Sequence, residues 1–193
     1  FTSEQNTFQK IADELGLIRT SAPGEPLCYV RHPLVYLVEA ADDICYEIMD
    51  IEDAHKLKIL TFAETEELLL GFFDEEKKLQ IKQRIIDEGV SDINEKVVYM
   101  RACVIGLLER ECVNVFVQNE QQILNGTFEG SLIDHISPHQ RAAYQYCAQV
   151  SKQKIYNSKP VLDVELSGYK IMETLMSAFV EAAENPECYY SKQ

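Results

Sequence analysis

One uninterrupted run, from Arg31 to Asp53, constrains the fold more than any other stretch of this chain. Pro33 suits the first turn of a helix, where its missing N–H costs nothing. Neither proline nor glycine follows before Gly71, so nothing obvious breaks a helix there. The run therefore predicts one long helix, with an apolar arc made of Leu34, Leu37, Ala41, Ile44, Cys45, Ile48 and Ile51.

The opposite arc of this helix is acidic. A solvated surface is the usual interpretation of such an arc, but a solvated surface normally interleaves lysines, and no Lys or Arg lies between Arg31 and Lys56. Like charges four residues apart also cost about 0.2–0.5 kcal/mol per pair. These two features favour a binding site on the arc, which consists of Glu39, Asp42, Asp43, Tyr46, Glu47, Asp50 and Asp53.

Three residues of the acidic arc stand four apart and so share one line of the helix: Asp42, Tyr46 and Asp50. A carboxylate is a ligand for a hard metal ion, and a tyrosine offers an aromatic surface with a hydroxyl. The second carboxylate is a hydrogen-bond acceptor. Together these groups suit a metal-bound nucleotide.

Residues 32–54, HPLVYLVEAADDICYEIMDIEDA, closely resemble a helix of the deoxyguanosinetriphosphate triphosphohydrolases, in the HD phosphohydrolase superfamily. That superfamily binds a divalent metal with a His, an adjacent His–Asp pair and a later Asp in an Ala-Asp-x-hydrophobic context. The resemblance implies that Asp42 is this later Asp, and that Tyr46 and Asp50 contact the substrate sugar. Asp43 falls one position out of register and is the less favoured metal ligand.

The chain departs from the family pattern at its histidines. The four are His32, His55, His135 and His139, and none is followed by Asp. The opening FTSEQNTFQKIADELGL resembles a mid-protein stretch of the same family and lacks an initiator Met. We therefore expect the C-terminal portion of a longer enzyme, with the other metal ligands in the N-terminal half. We assign no catalytic residue to this portion, and we expect it to be inactive alone.

Helical periodicity dominates the rest of the chain, so we predict a single all-α region over residues 1–193. The resemblance implies that this region is the C-terminal portion of an HD-domain-like bundle. Its catalytic helix covers about 33–56 and its C-terminal helical part about 61–185. The longest apolar helix is expected to bury Val97, Val98, Ala102, Ile105, Leu108 and Val113. Two further inward faces are predicted: Phe8, Ile11, Ala12 and Leu15 in a first helix, and Val164, Gly168, Ile171, Leu175 and Phe179 in a last one.

Arg101 lies within an apolar stretch of the long helix, VVYMRACVIGLLE. Such an arginine is about as consistent with a structural salt bridge as with a phosphate contact. In related dNTP hydrolases an Arg from the corresponding region reaches the substrate, so the resemblance makes Arg101 a substrate-binding candidate beside Tyr46 and Asp50.

Charge and cysteine usage limit the remaining possibilities. A net charge of −14 argues against nonspecific nucleic-acid binding, although it leaves room for a local basic patch. The six cysteines form no Cys-x-x-Cys motif, which favours reduced thiols in a cytoplasmic protein over a disulfide set. No apolar run approaches the roughly 18 residues of a membrane span.

Two functions from different classes remain open. The first is part of a hydrolase that converts dGTP or another dNTP to a deoxynucleoside and tripolyphosphate. The resemblance adds a divalent cofactor such as Mg²⁺ or Mn²⁺, a homo-oligomer, and a nucleotide or single-stranded DNA effector. The second is a non-catalytic helical interaction or regulatory module, whose acidic arc is a solvated or partner-binding face.

Overall fold

A computed structural model describes residues 2–185 and 187, and the predicted all-α class is confirmed. In the described part of the chain, β pairing is limited to one isolated bridge between Arg19 and Tyr29. The α-helices are α1 Gln5–Glu14, α2 Pro33–Lys56, α3 Phe62–Leu70, α4 Glu75–Asp87, α5 Ile93–Gln118, α6 Glu120–Leu124, α7 Pro138–Val150 and α8 Lys159–Glu184.

The chain divides into two compact units, Phe1–Ala148 and Gln149–Gln193. The first contains α1 to α6, a 3₁₀ helix at Leu132–His135 and most of α7. The second contains a π-helical turn at Ser151–Ile155 and then α8. Helices α2, α4 and α5 all lie in the first unit.

The acidic helix α2 is central to the first unit. It packs most extensively against α5, and also contacts α3 and the 3₁₀ helix. Its buried apolar positions follow helical spacing and comprise Tyr36, Ala40, Ile44, Ile48, Ile51 and Ala54. The packing of α2 against the long helix α5 leaves the opposite side of α2 for a site.

Local capping explains where several helices begin. His32 caps α2, with its Nδ1 accepting a hydrogen bond from the Leu34 backbone N–H at 3.2 Å, and Pro33 occupies the first turn. Thr61 and Glu64 form a reciprocal capping box at the start of α3. These signals are local in sequence, which is why the beginnings of both helices could be predicted.

The predicted buried face of α5 is partly wrong. Val97 and Leu108 are buried as expected, but Val98, Ala102 and Val113 are exposed. The buried stripe is rotated by roughly a quarter turn from the prediction, and consists of Val97, Met100, Val104, Leu108, Cys112 and Val115. Because α5 is apolar around most of its circumference, periodicity alone does not identify its inward side.

The predicted inward faces of α1 and α8 are also wrong. In α1 only Ala12 is buried, while Phe8, Ile11 and Leu15 are each about half exposed. In α8 none of the described residues is buried, and the exposed side chains include Val164, Ile171, Leu175 and Phe179. Periodicity identifies the residues that share a face, but it does not show that another element covers that face.

Candidate functional site

The line of Asp42, Tyr46 and Asp50 runs along the side of α2 that faces away from its buried isoleucines. Asp42 is exposed, the Tyr46 side chain is 62% exposed and Asp50 is half-buried. A tyrosine this exposed contributes little to the core, so its ring is available to a ligand. The structure therefore places the three predicted residues along one strip of a rigid helix, with Asp42 and Tyr46 exposed and with spacing set by the helical turn.

Arg31 fixes the start of α2 beside this strip. Its guanidinium donates to the Glu39 carboxylate at 2.6 Å and to the Gly130 carbonyl oxygen at 2.7 Å. The guanidinium carbon also lies 4.3 Å from the centre of the Tyr36 ring, a cation–π contact. One side chain thus connects the first turns of α2 to a loop about one hundred residues later.

That loop is held in place by further contacts. The Tyr36 hydroxyl donates to the Phe128 carbonyl oxygen at 3.1 Å, and the two rings meet edge to face. The Ser131 hydroxyl and backbone N–H both donate to the Asp134 carboxylate, at 2.7 and 3.1 Å. These hydrogen bonds to the ionised form lower the pKa of Asp134.

Negative charge accumulates where this loop meets α2. Burial raises the pKa of the Asp43 carboxyl, and the neighbouring carboxylates of Asp42, Glu39 and Asp134 raise it further. The Tyr144 hydroxyl of α7 donates to the Asp43 backbone carbonyl oxygen at 3.0 Å. Asp43 therefore lies half-buried against α7, whereas Asp42 beside it remains open to a ligand.

Glu47 does not lie on the exposed surface that the sequence suggests. It is only 7% exposed, and burial together with the Asp43 and Glu47 charges raises the pKa of Tyr144. Burial also raises the pKa of the Cys147 thiol to about 12, with a further contribution from Glu47. A substitution at Glu47 therefore disturbs the interior, so Glu47 is not a suitable exposed control for Asp42.

Arg101 makes a structural contact from α5. Its guanidinium pairs with the Glu52 carboxylate of α2, whose side chain is 5% exposed. Lys56 also pairs with Glu52, at 2.5 Å. Among the described residues, the Nε of Arg101 and the Nδ1 of His55 are buried and find no hydrogen-bond partner. The salt-bridge interpretation of Arg101 thus has a named partner, and the substrate contact stays a prediction.

The donor chemistry of α2 fits one position of a divalent-metal site. Asp42 offers an accessible carboxylate in a region of concentrated negative charge, which a hard cation would relieve. Among the described residues, however, no group of three or more His, Cys, Asp or Glu side chains is placed to hold a metal ion. Asp42 can therefore serve as one ligand, and the described part of the chain does not complete a coordination shell around it.

Sequence reasoning missed several residues that position the strip. Arg31 stands just before the helix, but its partners Gly130 and Tyr36 are not adjacent to it in sequence. Tyr144 carries no sequence signal for its contact with the Asp43 carbonyl. The role of Glu52 could be predicted only in part, since a rotation of about 100° per residue places it on the apolar side of α2.

The structure also shows the state of five cysteines and the hydropathy of the described helices. Five cysteines are free in the structure, namely Cys28, Cys45, Cys103, Cys112 and Cys147. Cys188 lies outside the described residues. None of the described helices is both long and apolar enough to cross a membrane.

Comparison with known proteins finds relatives that have closely similar names. A deoxyguanosinetriphosphate triphosphohydrolase-like protein of Pseudomonas aeruginosa is 31% identical over 184 residues, covering 95% of this chain and 40% of the relative. A protein of the same name from Synechocystis is 28% identical over 182 residues, covering 93% of this chain and 38% of the relative. The deoxyguanosinetriphosphate triphosphohydrolase of Cronobacter sakazakii is 25% identical, over 78% of this chain and 32% of that enzyme.

No family model matches the chain. The relatives nevertheless agree in name, and the chain spans about two-fifths of the length of the Pseudomonas protein. Nearly every residue of the chain is included in that alignment. Over this length, the chain is similar to deoxyguanosinetriphosphate triphosphohydrolase-like proteins.

Proposed function

We propose that this chain is the C-terminal portion of a metal-dependent dNTP triphosphohydrolase of the HD superfamily. Its substrate is dGTP or another dNTP, and the products are a deoxynucleoside and tripolyphosphate. The observation that carries the proposal is the accessible line of Asp42, Tyr46 and Asp50 on α2, beside a concentration of carboxylates. The names and coverage of the relatives support it.

In this proposal, Asp42 supplies one carboxylate ligand to a divalent cation. When bound, such a cation provides Lewis acidity and a more acidic water. Tyr46 presents an exposed ring and hydroxyl to the deoxyribose, and Asp50 accepts a hydrogen bond from the sugar hydroxyl one turn further along. Arg101 is retained only as a secondary candidate, because its guanidinium already pairs with Glu52.

The rest of the site is supplied by other parts of the protein. The His and His–Asp ligands belong to an N-terminal half, so this portion alone is inactive. The complete protein acts in the cytoplasm as a homo-oligomer and responds to a nucleotide or single-stranded DNA effector. The surrounding carboxylates make the cation necessary, because they would otherwise repel a triphosphate.

The test compares Asp42→Asn with Asp53→Asn in the full-length protein. Both substitutions remove one exposed carboxylate from the same helix, three turns apart. Asp42→Asn should lower dNTP turnover by at least about a hundredfold and weaken divalent-metal binding, since the loss of a ligand affects both. Asp53→Asn should change turnover by less than about twofold. Release of tripolyphosphate and calorimetric metal titration measure the two effects.

Equal and mild effects of the two substitutions would contradict the assignment of Asp42. Full turnover in Asp42→Asn would favour the alternative, in which this chain is a helical interaction or regulatory module. The Asp53 variant is a better control than Glu47→Ala, because Glu47 is buried and its truncation would disturb packing.

A further inference from the structure

A second candidate site lies away from the acidic strip, in a groove of about 350 Å³ between α4 and α5. This volume lies near the lower end of small-molecule pockets. Phe73 and Ile81 are buried beneath it. The remaining lining comes from one face of each helix: Lys77, Gln80 and Arg84 of α4, and Tyr99, Ala102, Cys103, Gly106 and Arg110 of α5.

The charge of this groove is opposite to that of the chain. The whole chain has 32 acidic and 18 basic residues. Yet three of the ten residues that line the groove are basic, Lys77, Arg84 and Arg110, and none of these ten described residues is Asp or Glu. Cations that lie close together repel one another, so a local cationic surface is unfavourable unless an anion neutralises it.

Two of the three cations have no carboxylate partner in the described structure. The Lys77 ammonium donates only to the Gln80 side-chain oxygen, at 3.3 Å, and Arg110 forms no ion pair with any described carboxylate. Arg84 donates to Glu88 at 2.8 Å, which leaves part of its guanidinium fork available. The groove therefore contains more donor capacity than the protein itself uses.

Gly106 supplies an independent observation. A glycine in the middle of a helix costs about 1 kcal/mol relative to alanine. No close packing requires it here, since a Cβ at this position would meet only Arg110 Nη1, at 3.5 Å. Its backbone is ordinary helix, so no left-handed conformation requires it either. The missing side chain leaves open space in the groove next to an unpaired guanidinium.

We propose that the groove between α4 and α5 binds a phosphate-bearing small anion. Arg110 and Arg84 donate to the phosphate oxygens in the planar geometry that guanidinium groups favour, and Lys77 adds a third charge. The open space above Gly106 lets a phosphate approach the Arg110 guanidinium closely. This site is separate from the strip on α2 and does not depend on the proposed hydrolase activity.

The experiment titrates the 193-residue chain with inorganic tripolyphosphate and, separately, with adenosine diphosphate, by calorimetry. Arg110→Gln should weaken binding about tenfold, because a charge-assisted contact to phosphate is lost. Lys82→Gln is the matched control: it removes one positive charge from the same region, on a side chain that pairs with Glu66 instead of lining the groove. The affinity of Lys82→Gln for each probe should stay within about twofold of the affinity of the parent chain.

Gly106→Ala separates binding from folding. The substitution should not lower the thermal midpoint, because alanine favours the helix and the added methyl contacts only the tip of a flexible side chain. It should nevertheless weaken anion binding, since the methyl occupies the space beside Arg110. The probe that binds with higher affinity then shows whether the groove prefers a free polyphosphate or the phosphate end of a nucleotide.

Three results would overturn the proposal. One is the absence of binding by either probe at low ionic strength. Another is an equal loss in Arg110→Gln and Lys82→Gln, which would mean diffuse electrostatic attraction. The third is binding by Gly106→Ala that equals binding by the parent chain.

Discussion

At the scale of single residues, the buried carboxylate of Glu52 has two cationic partners of unequal exposure. The Arg101 side chain is 25% exposed and the Lys56 side chain 50% exposed. A buried ion pair contributes little net stability, but removal of one partner is costly because the other charge remains buried. Arg101 comes from the facing helix, so this pair also connects α5 to α2.

Arg101→Ala should therefore destabilise the fold by about 2–3 kcal/mol, with Lys56 limiting the loss. The free energy of unfolding in urea measures the effect. Arg110→Ala, on the same helix but without an ion pair to the described chain, should cost less than about 0.5 kcal/mol. If the two variants are equally stable, the pair with Glu52 has no structural importance, and a substrate role for Arg101 becomes the better explanation.

Asp134 gives a prediction with a defined dependence on pH. Its folded-state pKa is lowered by the hydrogen bonds from Ser131, so its carboxylate stabilises the fold above the unfolded value of about 3.8. That contribution is lost as the pH falls through the folded pKa. Asp134→Asn should thus cost about 1 kcal/mol near neutral pH, and the difference from the parent should shrink in acid.

Thermal melts of Asp134→Asn and the parent across this pH range test the prediction. The exposed Asp53→Asn variant controls for the general loss of one negative charge. A destabilisation by Asp134→Asn that persists unchanged well below pH 3.8 would show that the ionised carboxylate is not the stabilising species.

At the scale of elements, the contact between α2 and α5 organises the first unit. Ile48 and Ile51 of α2 and Val104 and Leu108 of α5 are fully buried. The end of α2 at Lys56 has no proline or glycine signal, but its start could be predicted from Pro33. The inward face of α5 could not, because apolar residues surround most of that helix and only tertiary packing selects one side.

A matched pair of valines tests the face that the structure assigns to α5. Val104→Ala removes two methyl groups from a fully buried position and should cost about 2 kcal/mol. Val113→Ala makes the same change at a position that is 47% exposed and should cost less than about 0.5 kcal/mol. Urea unfolding of both variants provides the measurement, and the reverse order would support the face that periodicity suggested.

At the scale of the whole molecule, composition and periodicity were sufficient for the all-α class and for the position of the acidic helix. The line of Asp42, Tyr46 and Asp50 could be predicted because helical spacing fixes it. The surroundings of the line could not, because the contacts of Arg31 and Tyr144 join residues about one hundred positions apart. The exposed apolar faces of α1 and α8 escaped prediction because sequence does not state what covers a face.

In the function that we propose, this chain holds one ligand of a metal site whose other ligands lie elsewhere in the protein. The most direct measurement is metal-dependent release of tripolyphosphate from dGTP by residues 1–193, alone and after addition of the N-terminal portion in trans. Alone, the chain should bind the metal weakly and release no tripolyphosphate, because one positioned carboxylate does not fix a metal and its water. Reassembly should restore metal binding and turnover together. Robust metal-dependent release by residues 1–193 alone, with contaminating enzyme excluded, would contradict this account.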